Sequence, residues 1–430
     1  MAARYQDRSA ALAILDTVRK DRVLAVAATR HVAAFAALKP ADRALANHLA
    51  LGVLRSRLLL DHLLGIFASR KAPSDPRLRD ILHLGLFQLL LMDRIPPHAA
   101  LDSTVTLARN TKGAGTAGFV NAILRRASTE GPVILAGDLP PELRHSLPAW
   151  MADRLRPLAG PAYLQELADL DSPAPVAMRF RCPRAQLETE CQRWGLTPQL
   201  DPRFPESVFF GSDANPYETG LFSSGLLLPQ DPASCMVVEL LAPEEGRRVL
   251  DLAAGLGVKT LHILDRCGGR GGAITAVDIN PRRLEKLRAR PELAEVTVLQ
   301  ADIGAPLPLP PASFDRILLD APCSGIGTIR RHPEIKWWRS ETDLAGNAEL
   351  QRRMLTHALT LLAPGGRLVY SVCSYSPEEG PQVVEAVLKD HPHIHLRPVP
   401  PGLSASPGPY LQTLASQHNA DLFFAAILEK

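Results

Sequence analysis

The sequence predicts a multidomain protein: an all-α N-terminal domain, a small α+β module, and a doubly wound, Rossmann-like α/β domain. Three changes of pattern carry that reading. From about Ala3 to Ser128, apolar residues recur at spacings of three and four, the helical period. From Trp150 to about Pro232, short helical and strand patterns are mixed. After Cys235, apolar strand-like runs alternate with helical ones, the mark of a parallel sheet covered on both faces.

The chain has 430 residues, enough for two or three domains with their own cores. Its apolar fraction of 46% and charged fraction of 22% are those of a globular protein rather than a disordered or fibrous one. A net charge of +3 neither demands nor excludes a nucleic acid partner. The six cysteines, at 182, 191, 235, 267, 323 and 373, form no Cys-x-x-Cys pair and no zinc spacing. We therefore expect reduced thiols, no metal and a cytoplasmic location. The N-terminus shows no basic-then-apolar signal pattern, and the longest apolar run, near Ile81 to Met92, is too short to cross a bilayer. A soluble monomer is expected.

In the first segment the helical faces are Leu12, Leu15, Val18; then Leu45, Leu49, Gly52, Val53; then Leu82, Leu86, Leu89, Leu90. Prolines at 40, 73, 76, 96 and 97 punctuate them, and Asp75 before Pro76 reads as a helix start. Residues 131–148 read as a linker, because Gly131, Pro132, Gly137, Pro140, Pro141 and Pro148 interrupt regular structure. The module that follows is expected to hold a helix at Pro161–Leu170, a strand at Pro175–Arg181, a helix at Arg184–Gly195 and a strand at Val208–Gly211. Domain limits are placed at 1–140, 141–235 and 236–430.

In the third domain, strands are expected at Arg248–Ala254, Ala273–Ile279, Val296–Ala301, Phe314–Leu319, Arg367–Val372 and Leu422–Leu428. Helices are expected at Lys259–Cys267, Pro281–Arg290 and Leu344–Leu362. Ala253-Ala254-Gly255-Leu256-Gly257-Val258-Lys259 lies between a strand and a helix, where glycines admit a ligand and the helix start offers free amides. Asp278 ends the second strand, placed for ribose hydroxyls, and Asp302 follows the third, placed for an adenine amino group. With Asp320 at the end of the fourth, these acids and the glycine turn point to an adenosine-containing cofactor. The absence of a third glycine argues against a dinucleotide, and the absence of a Gly-Lys-Ser/Thr loop argues against an ATPase.

Two thiols follow apolar runs in that domain. Cys323 stands in Asp320-Ala321-Pro322-Cys323-Ser324-Gly325-Ile326-Gly327, and Cys373 in Tyr370-Ser371-Val372-Cys373-Ser374. Beyond the first lie Arg330, Arg331 and Lys336 with Trp337 and Trp338, a mixture that suits a nucleotide, with cations for phosphate and rings for stacking. Which tryptophan packs and which meets the ligand stays open, and His332 is read as structural.

These two motifs resemble those of the RNA cytosine methyltransferases that modify carbon 5 of the ring. The first matches without a gap over Asp320–Trp337, while the second has Val372 in place of the family's Thr. The resemblance implies S-adenosylmethionine as cofactor, Cys373 as nucleophile, Cys323 as the thiol serving proton removal or release, and Asp320 as stabiliser of the activated ring. It implies a cofactor loop at Ala253, Ala254, Gly255, Leu256, Gly257, Val258 and Lys259. There Leu256 replaces a Pro and Val258 a Gly, so that Val258, were it at positive φ, would be strained by about 1–3 kcal/mol. A loop built instead on Gly255 and Gly257 is the favoured alternative. Arg181 stands where the family has an Asn.

Gly52–Leu58, Gln88–Leu90, Ile95–Ala100 and Gly118–Arg126 resemble, as an ordered set, the RNA-binding antitermination-factor (NusB-like) fold. Taken singly, Arg55, Arg57, Arg125 and Arg126 read as solvated face residues. The two resemblances together imply 5-methylcytosine formation in small-subunit ribosomal RNA. The same chemistry on tRNA is the runner-up. A non-catalytic RNA-binding assembly factor is the reading from another class, motivated by Leu256 and Val258.

Overall fold

The computed structural model describes residues 5–68, 73–211 and 214–430. Ala3 and Arg4, at the start of the expected helical stretch, lie outside them. The structure divides into two compact units: residues up to Ala152 together with Arg331–Trp338, and Asp153–Arg330 together with Arg339–Lys430. This differs from the expected three-part division. Residues 141–152 go with the helices, and 153–235 form one unit with the α/β part.

The first unit is helical. Its longer helices are Gln6–Asp21, Pro40–Arg55, Arg57–Phe67, Pro76–Leu90, Pro97–Lys112 and Ala114–Ala136. Leu12, Leu15, Val18, Leu49, Val53, Leu82 and Leu86 are all buried in one core, as their spacing predicts. Gly52 is there because a Cβ would overlap the Phe87 ring, so two helices approach closely. Asp75 caps its helix, with Oδ1 accepting from Arg77 N at 2.9 Å.

The expected linker is largely ordered structure. The helix Ala114–Ala136 runs through Pro132, and a single turn follows at Pro141–Arg144. Ile134, Leu135 and Leu139 pack against the helical core, and this burial offsets the donor that Pro132 lacks. Arg144 then donates to Leu135 O and Gly137 O at 3.1 and 2.8 Å, satisfying carbonyls at the helix end.

The second unit holds two sheets. The smaller is antiparallel, with β1 Val176–Phe180, β2 Gln199–Leu200, β3 Ser207–Phe210 and β4 Leu227–Pro229 in the order β2-β3-β1-β4. The larger contains β5 Val249–Leu252, β6 Ile274–Asp278, β7 Thr297–Gln300, β8 Phe314–Asp320, β9 Leu362–Val372, β10 His395–Arg397, β11 Leu411–Gln412 and β12 Phe424–Glu429. Its order is β10-β12-β9-β8-β5-β6-β7, with β11 on β12. Strands β5 to β9 are parallel. The expected all-parallel sheet is therefore mixed: β12 runs antiparallel to β9, and β10 and β11 antiparallel to β12.

Along β8, Leu318 joins the core on one face while Ile317 and Leu319 join that on the other. That alternation is why both faces carry helices. Helices Pro232–Leu241, Val258–Arg266 and Glu341–Leu361 are among those covering it. Helices Pro232–Leu241 and Pro381–Asp390 were not anticipated. Among the described residues, no helix is long and apolar enough to cross a membrane.

Candidate active site

The site forms where β8 and β9 end side by side. Asp320 pairs in register with Ser371, and Ala321 N donates to Ser371 O at 2.9 Å. Both chains then leave the sheet and bring two half-buried free thiols together, Cys323 Sγ lying 3.3 Å from Cys373 Sγ. The glycines of the first motif serve this turn differently. Gly325 takes φ 74°, a left-handed conformation. Gly327 instead lies flat against its neighbours: its N donates to Cys373 O at 3.0 Å and its O accepts from Leu422 N at 2.9 Å. A Cβ on it would overlap Leu422 O and stand 2.9 Å from Cys373 O.

Charge is arranged around the thiols. Lys259 Nζ donates to Asp320 Oδ2 at 2.7 Å, and Ser371 Oγ donates to Asp320 Oδ1 at 2.8 Å. Burial opposes the Lys259 charge, yet Asp320 and, after it, Cys373 hold its ammonium above the ordinary lysine value. The Cys323 thiol is pushed well above its ordinary value by its contact with Cys373, then by burial, then by the charges of Cys373 and Glu379. Glu379, Asn347 and Gln351, which surround the Cys323 turn, were not singled out from the sequence. Asn347 and Gln351 lie within the expected helix Leu344–Leu362, and Glu379 follows Cys373 closely in sequence, but none of the three belongs to a motif.

The loop after β5 resolves the question raised by Val258. The positive φ values belong to Ala253 (63°), Gly255 (61°) and Gly257 (78°), while Val258 is the first residue of its helix and is unstrained. Gly257 is also sterically required, since a Cβ would meet Leu293 Cδ1 at 2.9 Å and Leu287 Cγ at 3.0 Å. Ala254 is buried beneath the loop. Leu256 and Ile279 are large apolar side chains left 46% and 58% exposed at the ends of neighbouring strands β5 and β6. They offer apolar surface to a flat ring, so this edge of the sheet fits an adenosine group.

Asp278 is buried and braces the loop, accepting from Gly255 N at 2.9 Å and Asn280 N at 2.8 Å. Asp302 is exposed two residues beyond β7 and accepts from Gly304 N at 2.8 Å. Beneath the loop, Asp251 accepts from Thr260 Oγ1 at 2.5 Å, and burial pushes its carboxyl up to about 7.

The cations expected to contact RNA are placed otherwise. Arg330 is buried and donates to Asn419 Oδ1 at 2.9 Å and Ser172 Oγ at 3.2 Å. Lys336 is buried within the helical unit, donating to Arg55 O at 2.6 Å and Ser146 O at 2.9 Å. The reading of these two as phosphate contacts is therefore corrected: their donors are directed at protein acceptors that would otherwise be unsatisfied. Arg331 is half-buried in the same segment. Trp337 Nε1 donates to Leu54 O at 2.7 Å, and both tryptophans pack against the helical core.

Away from the thiols, a buried ion network joins the small sheet to the helix Val258–Arg266. Arg179, 1% exposed, donates to Gln230 Oε1 at 3.0 Å and pairs with Asp265 at 2.8 Å. His262 Nε2 lies 3.2 Å from Glu206 and 3.3 Å from Glu239. Burial disfavours the imidazolium, but Cys235, Glu206 and Glu239 outweigh it and push His262 up to about 10. The donor atoms of Glu206, Glu239 and His262 lie within 4.8 Å of one another. Arg266 pairs with both glutamates, so this group is already neutralised without an ion. Arg181 also turns inward, binding Asp265 through two bonds of 2.8 and 2.7 Å.

The family described as 16S rRNA methyltransferase RsmB/F matches residues 238–429, and the NusB family matches residues 5–129. A ribosomal RNA small subunit methyltransferase B of Klebsiella pneumoniae is 36% identical over 399 residues, covering 90% of this chain and 90% of its own. That of Vibrio cholerae is 32% identical over 398 residues, covering 89% and 91%. Among solved structures, PH0851 superimposes with a TM-score of 0.80 at 22% identity, covering 100% of both chains. A methyltransferase homolog from Pyrococcus horikoshii gives a TM-score of 0.56 at 26% identity, covering 70% of this chain and 99% of its own.

Proposed function

This chain belongs to the 16S rRNA methyltransferase RsmB/F family, and from that premise we propose that it forms 5-methylcytosine in small-subunit ribosomal RNA through a covalent cysteine intermediate. The observation that carries the reading is the pair of free thiols 3.3 Å apart at adjacent strand ends, with Lys259 and Asp320 beside them.

Carbon 5 of cytosine is too weak a nucleophile to be alkylated unaided. Addition of the Cys373 thiolate to carbon 6 places electron density on carbon 5. Lys259 keeps its positive charge next to that thiolate, and Asp320, held on both oxygens by Lys259 and Ser371, faces the activated ring. The loop Ala253–Lys259 with Asp278 and Asp302 would hold S-adenosylmethionine, which when bound would supply an electrophilic methyl group to carbon 5 and leave as S-adenosylhomocysteine. The proton on carbon 5 then passes to Cys323, acting as base in its thiolate form, the C–H electron pair re-forms the 5,6 double bond, and the carbon 6–sulfur bond breaks to return the Cys373 thiolate. Cys323 serves this elimination.

The test is methyl transfer from labelled S-adenosylmethionine to protein-free small-subunit RNA from a strain lacking the gene. Digestion to nucleosides is expected to show label in 5-methylcytosine for the wild type and none for Cys373→Ala. Label in another nucleoside, label only with tRNA, or full activity in Cys373→Ala would each overturn the assignment.

A further inference from the structure

We propose that Glu379 is a positioning residue for Cys323, its carboxylate fixing the turn Pro322–Ser324 so that this thiol serves release of the methylated RNA. The inference rests on the reading of Cys323 as the release thiol.

Glu379 is 0% exposed, in the loop between β9 and the helix Pro381–Asp390. Its Oε1 accepts from Ser324 N at 2.7 Å, Asn347 Nδ2 at 2.9 Å and Gln351 Nε2 at 3.4 Å. Its Oε2 accepts from Ser324 Oγ at 2.5 Å. Gln351 Nε2 also donates to Pro322 O at 2.9 Å, and Arg339 Nε donates to Ser324 O at 2.8 Å. The backbone on each side of Cys323 is therefore held, and Glu379 is the hub. Its own carbonyl is fixed by Tyr370 OH at 2.6 Å, which ties the hub to β9, the strand that carries Cys373.

Each donor to the carboxylate is an amide or a hydroxyl. A glutamine or an apolar residue would fill the same space without burying an anion, which is expensive away from water. The anion does two things a neutral group would not: it accepts four bonds at once, and its charge helps to raise the Cys323 thiol above its ordinary value, which makes that sulfur, once ionised, the stronger base for elimination. A bond network of this kind holds a reacting group within the tolerance that catalysis requires.

The test uses the full-length protein with protein-free small-subunit RNA and S-adenosylmethionine, following the covalent protein–RNA adduct on denaturing gels beside turnover. Glu379→Gln keeps shape but turns an amide donor toward the Ser324 donors. Ser324→Ala is the smaller change, removing one of the bonds and leaving Cys323 in place. In both, adduct formation through Cys373 is expected within about twofold of wild type while turnover falls about tenfold or more, so that adduct accumulates. A purely structural role would lower both rates together. Adduct in Cys323→Ala but in neither of the other two overturns the positioning role alone. Absence of adduct from Cys323→Ala as well overturns the release reading beneath it.

Discussion

Lys259 Nζ and Asp320 Oδ2 meet at 2.7 Å, joining the helix that follows the glycine loop to the strand end that leads into the Cys323 turn. One contact thus links the two halves of the site, and the ammonium also lies 5.8 Å from the centre of the Phe423 ring. Lys259→Met removes the charge and leaves Asp320 with only Ser371. Both side chains retain some exposure, at 15% and 27%, so the expected stability loss is about 1–2 kcal/mol. Activity falls further, with kcat/KM down about a hundredfold. Chemical denaturation beside steady-state methyl transfer separates the two effects. Activity within a few-fold of wild type would remove Lys259 from the chemistry.

Gly327→Ala tests the close approach of the two loops. The added methyl would overlap Leu422 O and crowd Cys373 O, both backbone atoms that cannot rotate away. Destabilisation of about 2–3 kcal/mol is expected, with loss of most methyl transfer because Cys373 is displaced. A fully active, equally stable variant would show that the backbone there yields easily.

Val258→Gly restores the residue typical of the family's loop. Since Val258 already begins the helix at ordinary φ, no strain is released. Calorimetric titration with S-adenosylmethionine is expected to give affinity within about twofold of wild type, and stability lower by about 0.5–1 kcal/mol because glycine weakens the helix start. Tighter binding by tenfold would mean that valine distorts the loop after all.

His262 makes stability depend on alkaline pH. Its folded value of about 10 lies above the unfolded value near 6.5. The stabilisation from the imidazolium between Glu206 and Glu239, with Arg179 and Arg266 facing the same carboxylates, is therefore complete below about pH 6.5. It is lost as pH rises from there through about 10. Thermal melting from pH 6 to 10 is expected to show a falling Tm in wild type and a flatter profile in His262→Gln. Parallel profiles would mean that the ring is neutral in the fold.

Much of the candidate site could be read from the sequence. Asp320, Cys323 and Cys373 each follow an apolar run, and period-two burial with strand–helix alternation brings such runs to one sheet edge. Gly255 and Gly257 were identifiable because covalent geometry gives few other ways to turn from strand to helix. The helical faces of the first unit followed from spacing alone.

What escaped the sequence depends on partners distant along the chain. Arg330 and Lys336 look like surface cations until Asn419, Ser172, Arg55 and Ser146 surround them. Glu379 is one acid among many until folding closes Ser324, Asn347 and Gln351 around it. The final strand's apolar residues were legible, but its antiparallel direction was set by the route of the chain from β10 to β12. Periodicity and residue chemistry are local properties, so they specify elements and candidate reactive groups. Whether a charge is buried, and on whose hydrogen bonds it is used, is a non-local property that only packing decides.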